Sequence, residues 1–176
     1  MNKYVTAFML TSLLWLSACA MVKTDDIRIS AEVDPKVNFS GYKTYAWLGA
    51  AAILNDPDGR WEPPSFDADA EIKFLVDREL RRRGMQESAG QPDMILAFAL
   101  GVDMEALQLK VDEKTRMQTL ENVPKGALVL VAIDSTTGFV IWMGEAEAEV
   151  QQGLSEQEVR KRLDYAVSKM IAKMPR

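Results

Sequence analysis

The sequence predicts an α+β fold: a two-layer sandwich in which a mostly antiparallel sheet of five to six strands carries two helices packed on one face. Three observations predict it. Two segments, 67–84 and 155–174, repeat apolar residues at helical spacing on one side only. Around them lie short runs rich in β-branched and aromatic residues, bounded by Pro, Gly and Asp turn signals. Helices with a single apolar stripe must bury it, and a sheet is the economical partner.

The elements follow in order. "IRISAEVDP", Ile27 to Pro35, alternates enough for a first strand, and Pro35 ends it. "KTYAWL", Lys43 to Leu48, is aromatic and reads as a second. Gly49 to Ser65 reads as a long loop, because Asn55-Asp56-Pro57-Asp58-Gly59 and Pro63-Pro64 are turn chemistry; Trp61 is expected to pin it down. The first helix places Ala68, Ile72, Leu75, Val76 and Leu80 on one face. Asp67, Asp69 and Glu71 open it and Arg81, Arg82 and Arg83 close it, both complementing the helix dipole. Gly84 suits a left-handed residue just past its end. Asp93 to Val102 is a third strand. Ala106 to Val111 is a fourth, with a helical alternative, and "DEKT" turns the chain. Gly126 to Asp134 and Phe139 to Val150 form a hairpin about Ser135 to Gly138. In the last helix Ser155 and Glu158 form a capping box, flanked by Leu154 and Val159 as a hydrophobic staple. Its stripe is Val159, Leu163, Ala166, Val167, Met170, Ile171 and Met174.

Leu128 to Ile133 is apolar at every position, and Met94 to Leu100 nearly so. A sheet covered on one face alternates apolar and polar. These strands therefore ask for a cover on the second face, either the 49–65 loop or a partner.

The chain has 176 residues, enough for one domain with a real core; it is 48% hydrophobic and 27% charged, which is globular. Its net charge of −5 lacks the basic footprint of a nucleic-acid binder. It has no histidine and one cysteine, so zinc sites and His-based triads are excluded.

That cysteine, Cys19, ends an apolar run, Val5 to Ala18, behind Lys3. Fourteen residues are too few for a bilayer span of about 20 but fit the core of a signal peptide. Leu16-Ser17-Ala18-Cys19 resembles the bacterial lipobox, in which the thiol receives diacylglycerol, cleavage falls before Cys19 and the new amine is acylated. Several acyl chains on one residue anchor a protein without a transmembrane helix. Two other readings stand beside this one: ordinary cleavage after Ala20, giving a secreted or periplasmic protein, and an uncleaved anchor. The lipobox reading divides the chain into a signal peptide at 1–18, a lipidated tether at 19–28 and a domain at 29–176. Ala20, rather than Asp, after the cysteine favours the outer membrane over the inner.

"NFSGYKTYAWL", Asn38 to Leu48, resembles the DUF4136 family of bacterial lipoproteins, whose motif is close to "FSxYKTYAW". "PDMILAF" from Pro92, "GALVLVAIDSTTGFVIWMGEAEAEV" from Gly126 and "RLDYAVSKMIAKMP" from Arg162 resemble its later blocks in order. Residues 103–123 share nothing with it, and Met143 stands where the family often has Arg. The resemblance implies the fold and the envelope location, and no reaction.

Four features are candidate sites. Ser40-Gly41-Tyr42-Lys43 has the Ser-x-x-Lys spacing of penicillin-recognising enzymes, but the Ser-Asp-Asn and Lys-Thr-Gly partners are absent. Tyr42, Tyr45 and Trp47, with Phe39, Trp61 and Trp142, suit a ligand groove or, more simply, a core and cross-strand pairs. Glu145, Glu147 and Glu149 alternate along one strand; they suit a divalent cation or, more simply, the solvated face of an edge strand. Arg81 to Arg83 suit lipid phosphates or, more simply, a helix end. The sequence reads as a non-catalytic envelope accessory with no cofactor and no metal. It is expected to be lipid-anchored at Cys19 on the periplasmic side of the outer membrane and to dock an envelope protein, peptidoglycan or lipid. The alternatives are a carrier of a small apolar ligand in an aromatic-lined pocket, and a carboxylate-dependent hydrolase. Nothing in the sequence fixes the oligomeric state.

Overall fold

The computed structural model describes residues 22–54, 64–103, 107–111, 118–122 and 125–176. The elements run β1 (Arg28–Val33), β2 (Thr44–Leu54), α1 (Ala68–Arg82), β3 (Gln86–Glu87), β4 (Met94–Asp103), β5 (Leu107–Val111), β6 (Gln118–Asn122), β7 (Lys125–Asp134), β8 (Val140–Glu149) and α2 (Glu156–Lys173). Six strands form one sheet in the order β1-β8-β7-β4-β2-β3, while β5 and β6 pair as a separate two-stranded ladder. The expected α+β sandwich is present. Its sheet is mostly antiparallel, as expected, but not purely so: β2 runs parallel to both β4 and β3. The cause is α1, since a chain that crosses over through a helix returns in the same direction.

The expected loop from Gly49 is corrected by the structure. β2 continues to Leu54, with a register shift between Trp47 and Gly49, and pairs with β4 as far as Leu54↔Val102. Glycine and a run of alanine carry weak strand propensity, and the ladder with β4 overrides it. Residues 55–63, Trp61 among them, lie outside the described residues, as do the expected "DEKT" turn and residues 1–21. Leu107–Val111 is a strand, so the helical alternative falls. Two short strands, β3 and β6, and a 3-10 turn at Phe39–Gly41 add to the expected elements.

Both helices begin and end as their sequences dictate. Asp67 caps α1 by accepting from the Ala70 N–H, and Gly84 follows at φ +83°. Ser155 and Glu158 form the reciprocal capping box of α2. Ile72, Leu75, Val76 and Leu80 of α1, with Ala166, Val167, Met170 and Ile171 of α2, are buried against Met94, Leu96, Phe98, Leu128, Leu130, Ala132 and Ala146. That set alternates along β4 and β7, so one sheet face carries the core. Ion pairs tie the helices to each other: Arg78 reaches Asp164 and Ser168, and Arg160 reaches Glu71 while stacking 4.0 Å over the Phe66 ring. Arg83 donates to the carbonyls of Met174 (2.8 Å) and Pro175 (3.1 Å), capping the end of α2.

Candidate functional site

Three regions of the domain offer surface that the fold leaves open. The first is a cavity of about 180 Å³ between the helices and the sheet, at the end where β1 starts. Its walls are aliphatic: Ile27, Leu100, Leu128, Val150, Leu154 and Leu163 contribute, with alanines from β8 and both helices. Leu154 and Val159, the expected staple, are half-buried and both line it. An apolar cavity of about 150 Å³ admits a benzene-sized guest, whereas pockets for larger ligands start near 300 Å³. Among the described residues no aromatic side chain lines it.

Arg162 stands at the edge of that cavity and is the one buried charged residue among the described residues, 8% exposed. Its guanidinium grips Asp26 in a two-pronged pair, Nη1 to Oδ1 at 2.9 Å and Nη2 to Oδ2 at 2.6 Å. Nη1 also donates to the Lys23 carbonyl at 2.5 Å, and Gln151 Nε2 donates to Asp26 Oδ2 at 3.2 Å. Burial pushes the Asp26 carboxyl up; the hydrogen bonds and charge of Arg162 outweigh it and hold the carboxyl below its ordinary range. The helical stripe, read from the sequence as wholly apolar, misses Arg162. The signal available is an arginine flanked at helical spacing by Val159 and Ala166.

The second region is the sheet face turned away from the helices. Ile95, Ala97 and Ala99 on β4, Val129, Val131 and Ile133 on β7 and Met143 on β8 share it and are half-buried. Leu48, at the β2 irregularity, is 70% exposed. Beside this apolar strip lie Glu145 and Glu147. The Ser30 hydroxyl donates to Glu145 at 3.4 Å, and Lys125 stands 3.6 Å from Glu147. The carboxylate row expected on an edge strand is on an inner one, because β1 pairs outside β8. Among the described residues no group of acidic side chains is placed to hold a metal ion.

The third region is a wide recess at the far end of the sheet, lined by Tyr42, Gln91, Asp93, Ile95, Asp134 and Ser135 among others. Tyr42 donates its hydroxyl to Asp134 Oδ2 at 2.6 Å; Asp134 Oδ1 accepts from the Thr136 and Thr137 N–H groups and the Thr137 hydroxyl. Asp93 Oδ2 accepts from the Lys43 and Thr44 N–H groups and the Thr44 hydroxyl. These carboxylates bind chain to chain at the strand ends. Ser40 sits in the 3-10 turn before β2, with Lys43 beyond it, so the Ser-x-x-Lys spacing opens no α-helix.

Of the described aromatics, Tyr45 and Trp47 come together, while Tyr42 and Trp142 lie apart from them. Tyr45, buried, and Trp47 both donate to one oxygen of Asp77 on α1, at 2.8 and 3.1 Å. Trp47 also meets Phe98 edge-on at 5.9 Å. The Tyr42 ring lies 5.6 Å from that of Phe39, tilted by 39°, and lines the far recess. Trp142 is buried with its ring over Gly144, and its Nε1–H has no hydrogen-bond partner among the described residues. Leu16, Ser17, Ala18 and Cys19 lie outside the described residues. Arg81 and Arg82 serve α1, bonding Asp77 O and Glu79. Among the described residues no helix is long and apolar enough to cross a membrane.

A six-stranded mixed sheet with two helices on one face defines an α+β domain. The chain belongs to the DUF4136 family, a domain of unknown function, whose profile matches residues 29–176. Solved structures are similar in fold. A DUF4136 family protein from Bacteroides thetaiotaomicron is 10% identical, with 85% of this chain and 96% of that one covered and a TM-score of 0.54. A PDZ domain protein from Parabacteroides distasonis is 13% identical over 99% of this chain, TM-score 0.50; the chain spans 41% of that protein's length. The lipoprotein GNA1162 from Neisseria meningitidis is 14% identical, covering 75% of this chain and 99% of that one, with a TM-score of 0.40. No curated protein matches the chain.

Proposed function

We propose that this chain is a lipid-anchored accessory of the outer membrane, attached through Cys19, whose periplasm-facing domain binds an envelope component and carries out no catalysis. The observation that carries the reading is the aliphatic sheet face of Ile95, Ala97, Val129, Val131 and Ile133, which no described helix covers. Apolar strips of this kind mark interaction surfaces. The lipobox resemblance supports the anchored location, and Ala20 favours the outer membrane.

A second reading rests on the aliphatic cavity between the helices and the sheet: a site for a small apolar ligand. Its walls are aliphatic rather than aromatic, so the ligand class is a slender hydrocarbon rather than a stacked ring.

The test is crosslinking in intact envelopes with wild-type protein and Val131→Glu, after their melting temperatures are shown to agree. A partner captured by the wild type and lost in the variant supports the reading; equal capture overturns the sheet face as the surface. For the anchor, Cys19→Ser should abolish metabolic lipid labelling and release the protein from membranes. Unchanged membrane association would sink the anchor.

A further inference from the structure

Within the segment expected to be a tether, the described residues 22–28 are fastened to the domain. Arg162 holds both Asp26 and the Lys23 carbonyl, and the Ile27 N–H closes a turn onto the Thr24 carbonyl at 3.1 Å. The side chains of the ion pair are 9% and 8% exposed, so water does not loosen it as it would a surface pair. Only Ala20, Met21 and Val22 then separate Cys19 from a locked backbone. Four residue steps span at most about 14 Å.

We propose that the end of the domain where β1 begins is a membrane-docking surface, seated against the phospholipid headgroup layer by this short locked leash. The proposal rests on acylation of Cys19. A lipidated residue sits at headgroup level, so the Lys23–Ile27 segment is held within one short span of it. The sheet then stands with Arg28, Lys125 and Glu147 toward the bilayer, at the end where β4 stops at Asp103 and the chain runs on into the β5–β6 ladder. The turn Asp134–Gly138 points away at the other end of β7, whose 10 residues extend about 33 Å. Phe139, 72% exposed, is carried outward with that turn. Arg28 and Lys125 stand with Asp25, Asp26, Glu147 and Glu149 around one recess at the seated end, and Lys23 is exposed beside Asp25. With charges of both signs there, the leash rather than net attraction sets the contact.

The experiment uses acylated full-length protein in vesicles of phosphatidylethanolamine and phosphatidylglycerol. Acylation blocks the Cys19 thiol, so a single introduced cysteine takes a fluorophore alone. Gln157→Cys, at an exposed position in the first turn of α2, reports the seated end, and Thr136→Cys reports the far turn. Headgroup-labelled lipid should quench the first several-fold more strongly than the second. A flexible Gly-Ser insert of about 15 residues after Ala20, spanning about 20 Å, should erase the difference while leaving the Asp26–Arg162 pair intact. Acylated, vesicle-bound protein quenched equally at both positions overturns the docking and spares the anchor. A difference that survives the insert overturns the leash as its cause. Protein that carries no acyl label and stays in solution overturns the anchor and the docking together.

Discussion

The hydroxyl of Tyr42 is bonded to Asp134 at 2.6 Å, joining residues 92 positions apart and closing the far end of the sheet. That bond, with the Thr137 and Thr136 donors, lowers the Asp134 carboxyl to about 2 and helps raise the Tyr42 hydroxyl, already lifted by burial, to about 12. An unfolded aspartate titrates near 3.9. Because the folded value is lower, Asp134 contributes stability that is present above the unfolded value and lost as pH falls from about 4 through about 2. The melting temperature should fall across that window, and Asp134→Asn should flatten this part of the profile while lowering stability at neutral pH. A variant with an unchanged acid limb would contradict the assignment.

The Asp26–Arg162 pair predicts an asymmetry between single and double substitutions. Arg162→Met or Asp26→Leu alone strands a buried charge and should cost about 3–5 kcal/mol. The double substitution leaves neither charge and should recover most of the loss. Urea unfolding of the three variants measures it; additive losses would show that the pair is not coupled.

Gly144 and Trp142 predict a steric coupling. Any Cβ at Gly144 overlaps the indole ring of Trp142. Gly144→Ala should therefore destabilise by about 1–3 kcal/mol, the range for overpacked cores. In a Trp142→Phe background the same change should cost less. Trp142→Phe by itself should cost less than the about 3–5 kcal/mol of a truncation to alanine, since it removes an N–H that has no partner among the described residues. Thermal melts of the two single variants and the double complete the cycle.

Asp77 accepts from both Tyr45 and Trp47, which binds α1 to β2. Burial raises the Tyr45 hydroxyl well above its ordinary value, and the bond to Asp77 adds to it. Asp77→Ala leaves that buried hydroxyl without its acceptor and should cost about 1–3 kcal/mol. In ultraviolet titration, Tyr45 of the wild type should resist ionisation until the protein unfolds in alkali.

The helices are legible in the sequence because local chemistry decides them. Asp67, Ser155, Glu158 and Gly84 act within a turn of their own positions. β2 beyond Leu48 is not legible, since Gly49 to Leu54 owes its conformation to pairing with β4 residues about fifty positions later. The parallel pairing of β2 and β4 follows from the same crossover. Of the candidate sites, the alternation on β8 correctly puts the three glutamates on one face, but a strand's own pattern cannot say whether it lies inside or at the edge of its sheet. Arg162 is hidden for the converse reason: its partner Asp26 is 136 residues away.

That separation also sets an order of events during synthesis. Asp26 is made early and Arg162 near the end, so a growing chain holds its first segment open until α2 exists. Completion of the last helix is then the step that fastens the Lys23–Ile27 segment, so the domain closes from its last element back onto its first.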